Sequence, residues 1–162
     1  MAWEKSYEYG EIAEKRFAAL LSNPIEATRD QNIFEHWDVA NDNIKYDVKA
    51  MKKFRRSDEH PTDRIHYIEL KNVNGKKGWL YGQADYIAFE TRSYWVIVSR
   101  QKLQEMIDDM VMETSLEPQV YKLYARKTRL DLMTIIPTID LISIADKMIK
   151  KAHDKRGRNE NM

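Results

Sequence analysis

Two stretches, Tyr46-Asp47-Val48-Lys49 and Tyr67-Ile68-Glu69-Leu70-Lys71, decide how this chain is read. Apolar and polar residues alternate in both, which predicts a strand for each. Over Ile44 to Phe54, Ile44, Tyr46, Val48 and Ala50 share one face, and Lys45, Asp47, Lys49 and Met51 the other. The second strand is expected from Ile65 to Val73. A hairpin centred near Asp58 would set Asp47 opposite Glu69, with Cβ atoms about 4.5–5.5 Å apart. Alternation adds Lys49 beside Asp47 and Lys71 beside Glu69. The arrangement depends on this symmetric register, because a slip of one residue turns the side chains to the other face.

Two close carboxylates repel unless a cation lies between them. Mg²⁺, with Mn²⁺ as an alternative, suits oxygen ligands and keeps waters that can attack phosphorus. Asp47 and Glu69 are the expected ligands, and the Leu70 carbonyl can add another. A lysine beside them can orient or deprotonate the water, or offset transition-state charge. This is the chemistry of phosphodiester hydrolysis. A second assignment stays open, because Asp47-Val48-Lys49 is itself an acid-x-Lys triplet. Asp38 or Asp42 would then be the first acid.

Around these strands, Ile12, Ala13, Phe17, Leu20 and Leu21 recur at helical spacing and predict a helix from about Tyr7 to Leu21. Residues 31–39 read as a short strand and Ala40 to Asn43 as a turn. Residues 84–90 fit a strand or a short helix, and Tyr94 to Ser99 a buried strand. A helix is expected from Gln101 to about Met112, strand pieces near 120–125 and 130–136, and a last helix from Ile139 to about Lys151. This order gives an α/β fold, a mixed β-sheet flanked by helices, with residues 1–152 as one domain and 153–162 as a basic, frayed tail.

Composition narrows the functional classes. There are 162 residues and no cysteine, which removes disulfides and thiolate chemistry. No apolar run approaches the roughly 20 residues of a membrane helix. Met1 to Lys5 lacks the apolar core of a signal peptide, so a cytoplasmic protein is expected. Basic residues number 27 and acidic ones 26, so only their distribution can favour nucleic acid. Lys49, Lys52, Lys53, Arg55 and Arg56 cluster, as do Lys71, Lys76 and Lys77, and a third group runs from Lys147 to Arg158. These can follow a phosphate backbone or simply be solvated charge. No Gly-rich phosphate loop and no zinc spacing of His36, His60, His66 and His153 is present. Trp79 and Tyr81 can stack on bases or pack in the core.

With Asp47, Glu69 and Lys71 in that order, the chain resembles the PD-(D/E)xK nuclease superfamily. The resemblance implies a restriction-endonuclease-like core of α-β-β-β-α-β order and a Mg²⁺-dependent DNA endonuclease. It also implies a metal-site role for Glu14 on the first helix, as in Holliday-junction resolvases, and a catalytic role for Gln83 after the third strand. A homodimer acting on duplex or branched DNA, in recombination, repair or a phage-type setting, is implied in the same way. A non-catalytic nucleic-acid-binding or assembly module on the same fold is the rival reading.

Overall fold

A computed structural model describes residues 2–151, with side chains from residue 8 onward. The basic tail expected over 153–162 and His153 lie outside the described residues.

The chain begins with α1 (Ala2–Ala18), whose Ala13 and Phe17, one helical turn apart, are both buried. Next come β1 (Pro24–Glu26), a π-helical turn (Gln31–Glu35) and β2 (Val39–Asn41). The expected strand over 31–39 is therefore mostly a π-turn that ends at His36 in the left-handed conformation (φ 59°, ψ 53°). β2 forms a tight antiparallel hairpin with β3 (Ile44–Lys49), Asn41 opposite Ile44. Asp42 and Asn43 close it with φ of 52° and 67°, the positive values that two-residue hairpin turns require. Asp42 is thus an exposed turn residue.

The hairpin between the two motif strands does not form. β4 (Ile65–Lys71) pairs with β9 (Leu132–Pro137) in a second sheet, where Glu69 faces Met133. β3 instead pairs in parallel with β5 (Tyr86–Glu90), Asp47 opposite Ile87. Parallel strands need a long crossover, and residues 50–85 supply it. β6 (Tyr94–Ser99) follows antiparallel to β5, then α2 (Arg100–Asp108), capped by the Ser99 hydroxyl. β7 (Thr114–Ser115) and β8 (Leu123–Ala125) complete the second sheet. The expected last helix stops early. α3 (Thr138–Ile144) gives way to β10 (Lys147–Lys150), which pairs with β6. The reason is an edge: the outer side of β6 needs hydrogen-bond partners, and 147–150 supply them.

The architecture is α/β with two mixed sheets, ordered β1-β2-β3-β5-β6-β10 and β4-β9-β8-β7, where one sheet was expected. The central strands β5 and β6 are apolar without alternation because both their faces are covered. On one face Phe17 packs against Tyr46 and Trp95, ring centroids 5.1 and 5.2 Å away. On the other, Ile87, Phe89, Val96 and Val98 meet Ile68, Trp79, Leu80, Leu103, Ile136 and Leu141.

Between the sheets, the His66 ring lies 4.9 Å from that of Phe89, and its buried Nε2 has no hydrogen-bond partner. Burial first, then the positive charge of Lys52, lowers its pKa to about 4, while Asp63 opposes the shift. A neutral buried imidazole contributes stability above its unfolded pKa near 6.5, and that contribution is lost as pH falls toward 4. We expect urea denaturation to show a loss of about 3 kcal/mol between pH 7 and pH 4 from this group. His66→Phe should abolish that share of the pH dependence.

Candidate functional site

The site grows from the β2–β3 hairpin. Asp38, just ahead of β2, is buried, and each of its oxygens accepts one hydrogen bond. Its Oδ2 accepts the Val48 amide at 2.7 Å and its Oδ1 accepts from Asn32 Nδ2 at 2.6 Å. Asp47, central on β3, is 3% exposed. Its Oδ1 pairs with Lys49 Nζ at 3.1 Å, and its Oδ2 is buried without a hydrogen-bond partner. Lys49 Nζ also sits 4.7 Å from the Trp79 ring centroid, a cation–π contact that fixes its long side chain.

Asp38 is the shared member of this group. Glu14 on α1 and Asp47 on β3 both lie close enough for the charge of Asp38 to act on them. Two carboxyl groups that close cannot both ionise without a compensating cation. Burial, then the charge of Asp38, pushes Glu14 up to about 8. Burial also pushes Asp47 up to about 8, with Lys49 opposing and Asp38 adding to the rise. Lys49 is raised by Asp47 and Asp38 against its own desolvation.

The two assignments left open by the sequence separate here. Glu69 is not opposite Asp47, yet its charge acts on Lys49, Lys52 and His36 from the second sheet. Lys71 is exposed, and a register shift between Glu69 and Lys71 breaks the alternation expected to align them. The Leu70 carbonyl accepts the Gly78 amide at 2.8 Å. Gln83 has an exposed side chain, and its amide donates to the Glu35 carbonyl. The set that converges is Glu14, Asp38, Asp47 and Lys49, with Glu69 at its border. Lys52 stands near them at the start of the crossover. Arg55, Arg56, Lys76 and Lys77 are exposed and Lys53 half-buried; Lys77 lies over the Tyr81 ring at 5.8 Å. His36 and the Lys49-anchoring role of Trp79 had no signal in the sequence.

Among the described residues, no three His, Asp or Glu side chains stand ready to enclose a metal ion. Mg²⁺ needs no such cage, since it binds through one or two carboxylates and keeps its waters. The hard oxygen donors of Asp38 and Asp47 and the unpartnered Asp47 Oδ2 fit a divalent cation, whose binding would have to displace the protons that burial favours on the acids. Compared with family models, curated proteins and solved structures, the chain matches none.

Burial pushes Asp47 from the ordinary value of 3.8 up to about 8 in the folded protein. Its contribution is therefore complete below the unfolded pKa and lost as pH rises through 8. Asp47→Asn should remove this dependence. In chelator, the variant should melt higher relative to wild type at pH 8.5 than at pH 5, as read by circular dichroism.

Proposed function

We propose that this protein is a Mg²⁺-dependent DNA endonuclease on a restriction-endonuclease-like core, with Asp38 as the first acid and Asp47-Val48-Lys49 as the acid-x-Lys triplet. The observation that carries the reading is the buried meeting of Asp38 and Asp47, with one Asp47 oxygen unpartnered and Lys49 locked beside it. Glu14 joins from the first helix, as in the resolvase-like members of the superfamily.

In this reading Asp38 and Asp47 hold the ion and Glu14 assists through Asp38. The bound ion supplies Lewis acidity and a more acidic water. Lys49 offers positive charge to the phosphate undergoing attack, and its two-sided restraint by Asp47 and Trp79 means little reorganisation is needed. Glu69 helps hold the Lys49 charge in place. The exposed cations Arg55, Arg56, Lys76 and Lys77 suit a phosphate backbone. Two copies would be needed to cut both strands of a duplex or junction in one encounter.

A labelled panel of four-way junction, duplex, flap and single strand, with Mg²⁺, Mn²⁺ or EDTA, tests this. Metal-dependent cutting is expected, lost by about 100-fold or more in Asp38→Asn, Asp47→Asn and Lys49→Met and near wild type in Lys71→Ala. Loss in Lys71→Ala with Lys49→Met active would restore the Glu69-x-Lys71 assignment. Binding without cutting, unchanged by EDTA, would favour the non-catalytic module. Because Glu14 and Asp47 hold protons at pH 7, Mn²⁺ binding should release about one to two protons. Calorimetry in buffers of different ionisation heat measures that number, and affinity should rise toward pH 8.

A further inference from the structure

One end of the second sheet carries two neighbouring loops rich in cations. Lys71, the last residue of β4, stands opposite Leu132, the first of β9, and Leu132 stands opposite Ala125, the last of β8. The turn over residues 72–77 and the β8–β9 loop over residues 126–131 therefore leave the sheet at the same end. They touch there, since a Cβ on Gly75 would fall 3.3 Å from Leu130 Cδ1. Gly75 also has φ 77°, which a side chain would strain.

Both loops are held in shape by their own hydrogen bonds. Asn72 Oδ1 accepts the Asn74 and Lys76 amides at 3.0 and 3.1 Å, and the Asn72 amide donates to the Lys76 carbonyl at 2.8 Å. Lys77 then pairs back onto Lys71. In the other loop, Arg126 closes on the buried Asp131, and the Arg126 carbonyl accepts the Arg129 amide at 3.2 Å. Asp131 is the single acid of the two loops, and Arg126 neutralises it. Lys71, Lys76, Lys77, Lys127 and Arg129 are exposed, and no acid among the described residues forms an ion pair with them. Such cations repel one another unless a polyanion lies along them. Val73 and Leu130 are the exposed large apolar side chains of these loops, short of the apolar core that a protein interface needs. The turn leads back to Gly78, whose amide bonds the Leu70 carbonyl beside Glu69, so the cations begin where the candidate site ends.

We propose that Lys127 and Arg129 of the β8–β9 loop, beside Lys76 and Lys77, form a docking surface for the phosphate backbone of duplex DNA. The choice of DNA rests on the nuclease reading above. The Arg129 guanidinium suits a phosphate through two parallel N–H donors, and Lys127 acts as a point charge. Contacts of this kind set the position of the duplex and carry no base preference.

The test reads binding of a fluorescent duplex by anisotropy in EDTA, where metal-dependent cutting stops, from about 50 to 200 mM salt. Lys127→Gln with Arg129→Gln should bind about tenfold or more weakly and flatten the slope of log affinity against log salt by about 0.9 for each lost phosphate contact. Lys102→Gln with Lys122→Gln removes two cations already paired with Asp146 and Glu113 and should bind like wild type. The docking surface is overturned by a wild type that binds no duplex, by wild-type affinity and slope in the first variant, or by equal weakening in the second. Anionic vesicles that displace the duplex at equal phosphate concentration would overturn it in favour of a membrane. A wild type that binds duplex through these loops but cuts nothing with Mg²⁺ would sink the nuclease reading and leave the surface standing. Cutting that persists while the first variant binds normally would sink the surface alone.

Discussion

Parallel pairing of β3 with β5 is the constraint from which the rest of the molecule follows. Two parallel neighbours cannot be joined by a turn, so the chain must leave the sheet and return. The 50–85 segment that does so sends β4 into the second sheet and lays the Trp79–Tyr81 turn over the face of β3 that carries Asp47 and Lys49. The same detour brings Glu69 to the border of the acids without making it their strand partner. Coverage of both faces of β5 and β6 then explains their unbroken apolar runs and the burial of Asp47 beside them.

Burial sets the chemistry of the acids, and a second buried carboxylate shows the contrast. Glu90 is 5% exposed, yet both its oxygens are engaged, Oε1 by the Met51 amide at 3.1 Å and Oε2 by Lys151 Nζ at 2.8 Å. A satisfied buried pair of that kind is structural. Asp47 keeps one oxygen idle in the interior, against the strong tendency of buried polar atoms to find partners. Asp38 accepts one hydrogen bond on each oxygen, from Val48 and Asn32, and still lies close to Glu14 and Asp47. Glu14, Asp38 and Asp47 cannot all ionise with a single lysine beside them, and that is an arrangement a divalent cation would relieve.

How much of this was legible in the sequence depends on the range of the interaction. Strand identity for 44–49, 65–71 and 94–99 followed from alternation and β-branched or aromatic content, which act locally. The Asp42-Asn43 turn was also legible, since two residues with positive φ suffice to close a hairpin. Pairing was not. A symmetric hairpin over residues 50–64 had no turn chemistry to enforce it, whereas the tight turn one strand earlier did, and β3 had only one edge left for β5. The helix expected to reach Lys151 stopped at Ile144 because the free edge of β6 captured 147–150.

By itself the sequence determined an α/β chain with two acid-bearing strands, each carrying an acid-x-Lys triplet, and a helix carrying Glu14. It left Asp38 and Glu69 as rival partners of Asp47. Tertiary structure set Asp38 beside Asp47 and placed Glu69 in the other sheet, because residues far apart in the chain meet only through sheet order. It also set the left-handed backbone of His36, which ends a π-turn that no local pattern announces.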